Sequence, residues 1–431
     1  MTKPVNSREI VLGILSDVFE NGKFSHIVIN DALKKVQSIS KQERSFITKL
    51  AEGSIERAIE LDYIINKFSK INTKKMKPAI RNILRLSVYQ LKYMDSVPDS
   101  AICNEAVLLT SKKGFVNLKA FVNGVLRNIA RGIETFEYPD SMSIKYSMPE
   151  WLTKMWVEDY GKDDAIKILE GLNQERKTSV RCNLSKATKE EIIKMLKDQG
   201  ITVEETTHLD EALYISNYDN IGNIEAHTKG LIQVQDLSSM FVARYADIKK
   251  DDYIIDVCAA PGGKALHAAD LLKGSGKVEA RDVSEFKTKL IDENIARAGF
   301  TNIYSCVKDA LVYYPESEEK ADVLIADLPC SGLGIISKKS DIKYKVSEKS
   351  ISELVELQRE ILKIVYRYVK PGGLLIYSTC TVNKSENQDN AEWFKNNFPF
   401  EEENSLQILP GVIDTDGFFI AKFRRKVDGQ G

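Results

Sequence analysis

The sequence predicts a multidomain chain: an all-α bundle, then a small α/β module, then a doubly wound α/β domain with a mostly parallel sheet. Three observations carry this. At 431 residues the chain has room for two or three domains. Its first 131 residues repeat apolar positions at helical spacing. From residue 230 onward, short apolar runs alternate with helical stretches, and acids, glycines or cysteines stand where the runs end. The boundaries expected are 1–139, 140–229 and 230–431.

Taken in order, the bundle should contain helices at Arg8–Asn21, Phe24–Val36, Lys41–Asn66, Pro78–Met94, Ala101–Ser111 and Phe115–Arg131. Ser7 is a candidate N-cap, with Ile10, Ile14 and Val18 on one face behind it. Pro78 stands at a helix start, where its missing N–H costs nothing. The lysine-rich stretch Ser69–Lys77 reads equally as a phosphate contact or a solvated loop. Residues 132–150 read as a linker, because Gly132, Pro139 and Pro149 interrupt any periodicity. Short helices at Glu150–Tyr160 and Ala165–Asn173 come next. Strand Thr178–Asn183, helix Lys189–Gln199 and strand Ala212–Ser216 make the small module. Arg181 and Asn183 share one side of its first strand, where they either meet RNA backbone or serve as polar edge residues.

The third domain should open with strand Leu231–Val234 and helix Ser238–Ala246, capped by Asp236. Tyr253–Ile255, Lys277–Ala280, Ile303–Val307, Ala321–Ala326 and Leu374–Ser378 are the parallel strands. A long amphipathic helix, Ser347–Tyr368, precedes the last of them. Gly417–Phe423 should add antiparallel, since too few residues precede it for another full crossover helix.

Composition bounds the function. The chain is 43% hydrophobic and 29% charged, as expected of a soluble globular protein. It has no apolar leader and no run of about 18 apolar residues, so a cytoplasmic protein without membrane contact is expected. The six cysteines form no CxxC pair and the four histidines are scattered, which argues against zinc ribbons, thioredoxin-type chemistry and a metal site. A monomer is expected. Residues 1–140 carry 22 Lys+Arg against 15 Asp+Glu, a balance of +7; the remainder carries 39 against 47, or −8. A basic front end on an acidic body points to an anionic partner.

The candidate chemistry gathers at strand ends, where open parallel sheets bind ligands. Asp256-Val257-Cys258-Ala259-Ala260-Pro261-Gly262-Gly263-Lys264 is a small-residue turn between strand and helix. Its glycines let backbone approach a ligand, and the helix N-terminus offers unpaired N–H donors. Asp282 lies about 20 residues on, the offset at which a carboxylate can accept from ribose hydroxyls. Asp309 and Asp327 stand at two further strand ends. GxGxxG is absent, so a dinucleotide is not the default ligand. Cys330, in Asp327-Leu328-Pro329-Cys330-Ser331-Gly332, and Cys380, in Ser378-Thr379-Cys380-Thr381, fall in polar turns on neighbouring strand ends. Buried free cysteine is the competing reading.

These three motifs, in this order, resemble the cofactor, Pro-Cys and Thr-Cys motifs of the RsmB/NOP family of RNA cytosine-5 methyltransferases. Gln233–Ser239, Ser385-Glu386-Asn387 and Asp416-Gly417-Phe418-Phe419 match as well. Residues 5–132, with Arg81–Leu91 and Phe121–Arg127, resemble the NusB family of RNA-binding helical domains. The resemblance implies a Rossmann-like class I methyltransferase acting on 16S ribosomal RNA with S-adenosylmethionine. Cys258, Ala259, Ala260, Pro261, Gly262, Gly263 and Lys264 would cradle its methionine part. Asp282 would hold the ribose, Asp309 the adenine edge, and Asp327 would lie where cofactor and base meet. Cys380 would attack C6, Cys330 would assist release, Asp327 would hydrogen-bond N3, and Lys264 would place the base or lower a thiol pKa. Ala265, Leu328 and Leu333 depart from the usual Thr, Ala and Thr. Ser340–Tyr344 lacks the usual Pro and Trp, which bears on a substrate groove expected over 335–346. Three alternatives remain at this point: a DNA methyltransferase attacking through the Pro-Cys thiol, an amino-group methyltransferase, and a non-enzymatic RNA-binding factor.

Overall fold

The computed structural model describes residues 6–36, 39–174 and 177–427. It divides into two compact units. One comprises residues 1–169 with Lys338–Lys345; the other comprises 170–337 and 346–431.

The first unit is a helical bundle: α1 Ser7–Phe19, α2 Ser25–Lys35, α3 Lys41–Glu56, α4 Ala58–Phe68, α5 Pro78–Tyr93, α6 Asp99–Lys112 and α7 Lys119–Gly132. Asn6 rather than Ser7 caps α1, accepting the Glu9 N–H at 2.9 Å. The stretch 41–66, expected as one helix, is two, and the chain bends at Arg57 (φ −95°, ψ 10°). Its apolar positions, Ile47, Leu50 and Ile55 before the bend and Leu61, Ile64 and Ile65 after it, are all fully buried. The periodicity therefore runs through a bend that no glycine or proline announces. Gly53 lets α3 approach α5: a Cβ there would overlap the Tyr89 ring, at 2.0 Å from its Cζ. Lys70, Lys74, Lys75 and Lys77 are exposed around a short 3-10 turn.

Residues 338–345, expected to belong to a substrate groove, are instead part of this bundle. The segment supplies helix ends with partners of the right sign. Asp341 Oδ2 accepts the Ser25 N–H at 3.1 Å, at the N-terminus of α2, where no residue of α2's own approach provides a side-chain cap. At the other pole, Lys343 Nζ donates to Glu56 O at 2.6 Å and the Tyr344 hydroxyl to Ile55 O at 2.7 Å, the open carbonyls of α3. A carboxylate at a helix N-terminus and an ammonium at a C-terminus both oppose the helix dipole. The Tyr344 ring packs edge-on against Phe19, with centroids 5.5 Å apart.

The second unit holds two sheets. The smaller is antiparallel, in the order β2-β3-β1-β4, with β1 Thr178–Cys182, β2 Thr202–Glu205, β3 Ala212–Ser216 and β4 Ile232–Val234. Helix Lys189–Asp198, held by a Thr188/Glu191 capping box, packs Ile192 and Leu196 onto Val180, Cys182 and Leu213. β2 is short and polar and was not expected. β4, expected to open the large sheet, pairs with β1 instead. Arg181 and Asn183 are buried, so neither reaches RNA. Arg181 Nη1 pairs with Asp270 at 2.9 Å, and Asn183 donates to Gly230 O and Ala298 O. Next to them His267, its pKa lowered to about 4 by burial, meets Glu211 at 3.0 Å. Two charged partners from one sheet thus fix helix Gly263–Leu271.

The larger sheet runs β10-β11-β9-β8-β5-β6-β7. β5 Tyr253–Asp256, β6 Lys277–Asp282, β7 Ile303–Val307, β8 Ala321–Asp327 and β9 Val369–Thr379 are mutually parallel. The chain steps from β5 out to β7, then returns to β8 on the other side. The order reverses between β5 and β8, the crevice where doubly wound sheets bind ligands. β11 Phe418–Arg425 adds antiparallel to β9, as expected. Contrary to expectation, a helix, Gln388–Asn397, and a further strand, β10 Phe400–Ile408, precede it. β10 alternates buried and exposed residues only weakly and carries Glu401, Glu402 and Glu403, which hid it. Among the described residues no helix is long and apolar enough to cross a membrane.

Lys343 is 2% exposed, and burial lowers its pKa from 10.5 to about 7. Between those values the unfolded chain binds more protons than the folded one, so this group makes stability rise with pH across the window. Lys343→Met should erase that contribution. The stability of the variant relative to the parent should therefore improve as pH falls from about 10 to about 7. Denaturant unfolding of both proteins across this range measures it, and a pH-independent difference would refute the assignment.

Candidate active site

The site is built at the carboxyl edge of β5, β6, β8 and β9. After β5 the chain turns through Cys258–Gly262 into helix Gly263–Leu271. Gly262 has φ +106°, a backbone state side chains resist, and it stands at the helix N-cap. A Cβ on Gly263 would come into ordinary contact with the Gln235 side chain, at 3.7 Å. Gln235 Nε2 is buried without a protein partner on that side.

Asp282 ends β6 and is 4% exposed. Its Oδ2 accepts the Ala260 N–H at 3.0 Å, and its Oδ1 accepts the Val283 N–H at 2.8 Å and approaches Lys287 Nζ at 3.0 Å. It therefore braces the glycine turn while Oδ2 keeps an acceptor position open. Asp309, half-buried, stands two residues beyond β7 and accepts the Leu311 N–H at 2.9 Å. Large apolar side chains follow both acids and stay exposed: Val283, Phe286, Leu311 and Val312. The sequence reading passed over them, although an apolar residue directly after a strand-end acid was a usable signal.

Asp327 ends β8 and is the electrostatic hub. Lys264 Nζ donates to its Oδ2 at 2.7 Å and Ser378 Oγ to its Oδ1 at 2.7 Å. Burial by itself would lower the Lys264 pKa, but Asp327, by charge and hydrogen bond, and Asp256 raise it. Its ammonium also lies 5.3 Å from the Phe418 ring centroid. Asp256 is 1% exposed; its Oδ1 receives only a long bond from the Cys258 N–H, 3.4 Å, and its Oδ2 has no protein partner.

Both cysteine turns meet here. Cys330 Sγ and Cys380 Sγ are 3.2 Å apart, both are free thiols, and both are half-buried. The contact with Cys380, followed by burial, pushes the Cys330 thiol well above its ordinary pKa, so Cys330 keeps its proton at neutral pH. Cys258 is also pushed up, by burial and then by Asp256, and is not a thiolate. The turn after Cys330 returns to the Cys380 turn: the Gly334 N–H donates to Cys380 O at 3.1 Å and the Gly417 N–H to Gly334 O at 2.9 Å. A Cβ on Gly334 would lie 1.9 Å from Gly417 O, and one on Gly417 2.4 Å from Val382 Cγ2, so both turns need glycine where they meet. Behind the thiols, Glu386 and Asn387 are fully buried and bonded to both turns. The structure thus brings together Lys264, Asp282, Asp327, Cys330 and Cys380 with the 258–263 turn. Among the described residues no group of three or more His, Cys, Asp or Glu side chains is placed to hold a metal ion.

Three family models match the chain. Residues 5–131 match the NusB family, 148–221 a ferredoxin-like domain of RsmF/B-like methyltransferases, and 243–424 the 16S rRNA methyltransferase RsmB/F. The probable ribosomal RNA small subunit methyltransferase B of Bacillus subtilis is 35% identical, over 98% of this chain and 100% of that one. Its counterpart from Synechocystis is 31% identical over 98% and 100%. Among solved structures, PH0851 superposes with a TM-score of 0.82 at 27% identity, covering 98% of this chain and 99% of its own. A methyltransferase homologue from Pyrococcus horikoshii gives 0.59 at 25% identity, over 66% and 97%.

Asp256 carries a pH signature of its own. Burial first, and then the charge of Asp327, raise its pKa from 3.8 to about 8. Between those values the folded protein binds the extra proton, so stability falls as pH rises through the window. Asp256→Asn cannot ionise. Its stability relative to the parent should climb steadily from about pH 4 to about pH 8. Chemical denaturation midpoints across that range test this; parallel pH profiles would sink the reading.

Proposed function

Because this chain belongs to the small-subunit ribosomal RNA methyltransferase B family, we propose that it methylates C5 of a cytosine in 16S ribosomal RNA, using S-adenosylmethionine and a covalent cysteine adduct at C6. The observation that carries this reading is the pair of thiols 3.2 Å apart beside the Lys264–Asp327 ion pair, at the point where the strand order reverses.

The residues present fit the cofactor. Gly262 stands at φ +106° at a helix N-terminus, Asp282 keeps an acceptor at the end of β6, and exposed apolar side chains flank Asp282 and Asp309. Cys258–Lys264 would hold the methionine part, Asp282 the ribose and Asp309 the adenine edge. When bound, S-adenosylmethionine supplies an electrophilic methyl group. C5 of cytosine is a poor nucleophile, and the chain's own residues must change that. The Cys380 thiolate adds to C6, which makes C5 enamine-like. Protonation at N3 favours that addition, and Asp327, beside Lys264, would accept the N3–H. After C5 is methylated, its proton must leave before the C6–S bond breaks and Cys380 departs. Cys330, at the same mouth, would assist that release. The target base must be unstacked to reach the thiols, which suits a single-stranded loop in structured RNA.

Residues 1–139, with their positive balance, would act as an RNA-binding module, 140–229 as a connecting α/β module and 230–431 as the methyltransferase domain. Their setting would be cytoplasmic. A DNA-type enzyme attacking through Cys330 accounts for neither the second thiol nor the NusB-family region. An Asn/Asp-Pro-Pro-aromatic turn, as amino-group methylation requires, is not what Asp327-Leu328-Pro329-Cys330 presents.

Two experiments test this. Asp282→Ala should weaken S-adenosylmethionine binding on the order of tenfold or more, since charge-assisted bonds to two ribose hydroxyls are lost. Unchanged affinity by calorimetry in the folded variant would remove Asp282 from the site. For the thiols, Cys380→Ala should abolish methylation of 16S ribosomal RNA. Cys330→Ala should transfer methyl but stall as a protein–RNA adduct, visible as a retarded band on a denaturing gel, and the double variant should give none. An adduct formed by Cys380→Ala instead would exchange the roles.

A further inference from the structure

Ser385-Glu386-Asn387 follows the second cysteine turn, and neither Glu386 nor Asn387 has a part in the chemistry above. Both are 0% exposed, and a fully buried carboxylate or amide is costly unless every polar atom is engaged. The main grips fall on different cysteine turns, although Glu386 makes one further hydrogen bond to Thr381 beside Cys380, and the Thr381 hydroxyl lies 2.7 Å from Ser331 Oγ. Glu386 Oε1 accepts the Ser331 N–H at 2.8 Å, and Oε2 accepts the Ser331 hydroxyl. Ser331 is the residue next to Cys330. Gln358 completes the grip: its Nε2 donates both to Glu386 Oε1, at 3.2 Å, and to Pro329 O, at 2.9 Å, on the other side of Cys330. Asn387 does the same for the neighbouring turn. Its Nδ2 donates to Thr381 O at 3.0 Å, and its Oδ1 accepts the Thr379 hydroxyl. Thr379 and Thr381 are the two neighbours of Cys380. The Tyr377 hydroxyl donates to Glu386 O, so the backbone between the two grips is itself pinned.

We infer that Glu386 and Asn387 are a positioning pair in which Glu386 holds the turn of Cys330 and Asn387 holds the turn of Cys380, and that their adjacency in the chain sets the distance between the two thiols. The inference rests on the two-cysteine reading above, and it makes the two neighbours separable. Loss of Glu386 frees Cys330 and should damage release. Loss of Asn387 frees Cys380 and should damage attack. A pair that merely supports the fold would impair both steps together.

The test uses the full-length protein with 16S ribosomal RNA and S-adenosylmethionine, comparing single with multiple turnover and scoring adduct on a denaturing gel. Glu386→Ala should keep single-turnover methyl transfer close to that of the parent while multiple turnover falls on the order of a hundredfold, because displacing a reacting group by about 1 Å costs that much. It should also accumulate adduct, as Cys330→Ala does. Glu386→Gln, which retains an acceptor for the Ser331 N–H, should lie between the parent and Glu386→Ala. Asn387→Ala should slow single turnover itself and accumulate none. Should either alanine variant unfold, Ser331→Ala removes the hydroxyl grip on Glu386 together with the contact to the Thr381 hydroxyl, and Asn387→Asp removes the donor to Thr381 O and Gln407 Oε1; each should reproduce its own arm in milder form. If the Glu386 and Asn387 variants lose single and multiple turnover in the same proportion, or both accumulate adduct, the inference is overturned. If Cys330→Ala itself gives no adduct, the assignment of the two thiols fails first, and this control separates the two outcomes.

Discussion

The parallel register of β8 and β9 is the constraint on which the site depends. Asp327 stands opposite Ser378, so the two strands end level with each other. From that pairing follow the Ser378–Asp327 bond, the Leu328 N–H to Ser378 O bond at 3.1 Å, and the entry of both cysteine turns at one height above the sheet. Side chains alternate faces along a strand, so a slip of one residue would turn Asp327 away from Lys264 and carry one thiol out of reach of the other. The apolar cores on both faces of the sheet forbid that slip: Ile325 and Ile376 point to one, Leu324, Ala326, Leu375 and Tyr377 to the other, all at most 1% exposed. Hydrophobic burial along both strands thereby holds the two cysteine turns at one height.

The second organising term is charge. Asp256, Asp282 and Asp327 crowd one sheet edge with two ammoniums, Lys264 on Asp327 and Lys287 on Asp282. Asp327 claims Lys264 by a direct bond, and Asp256, deeper and without such a bond, keeps its proton instead. A buried carboxyl adopts its neutral form when no partner offsets desolvation.

Much of this was legible in the sequence, for reasons that can be named. The parallel strands were legible because each is a short apolar run closed by an acid or a cysteine. The thiol pair was legible because Cys330 and Cys380 follow consecutive strands in turns too polar for core cysteine. What escaped was what lacks local pattern. β10 is a charged strand near the sheet's edge, stabilised by β11 rather than by its own composition. β4 was placed in the wrong sheet because a three-residue strand says nothing about its neighbour. The bend at Arg57 hid inside an unbroken apolar period. Ser385-Glu386-Asn387 was legible as a motif, but what Glu386 and Asn387 hold was not, since their partners lie up to 55 residues away. Arg181 and Asn183 misled for the complementary reason: polar residues on a strand suggest solvent or ligand, and here they are buried ties between strand and helix.

The membership of Lys338–Lys345 in the helical bundle has a consequence in time. The ribosome delivers α1 to α7 before the carboxylate for the α2 N-terminus and the ammonium for the α3 C-terminus, which are translated about two hundred residues later. During that interval the nascent bundle carries open helix ends at both poles. Its completion therefore waits on translation past the Pro-Cys turn, which ties the maturation of the oldest part of the chain to the synthesis of one of the youngest.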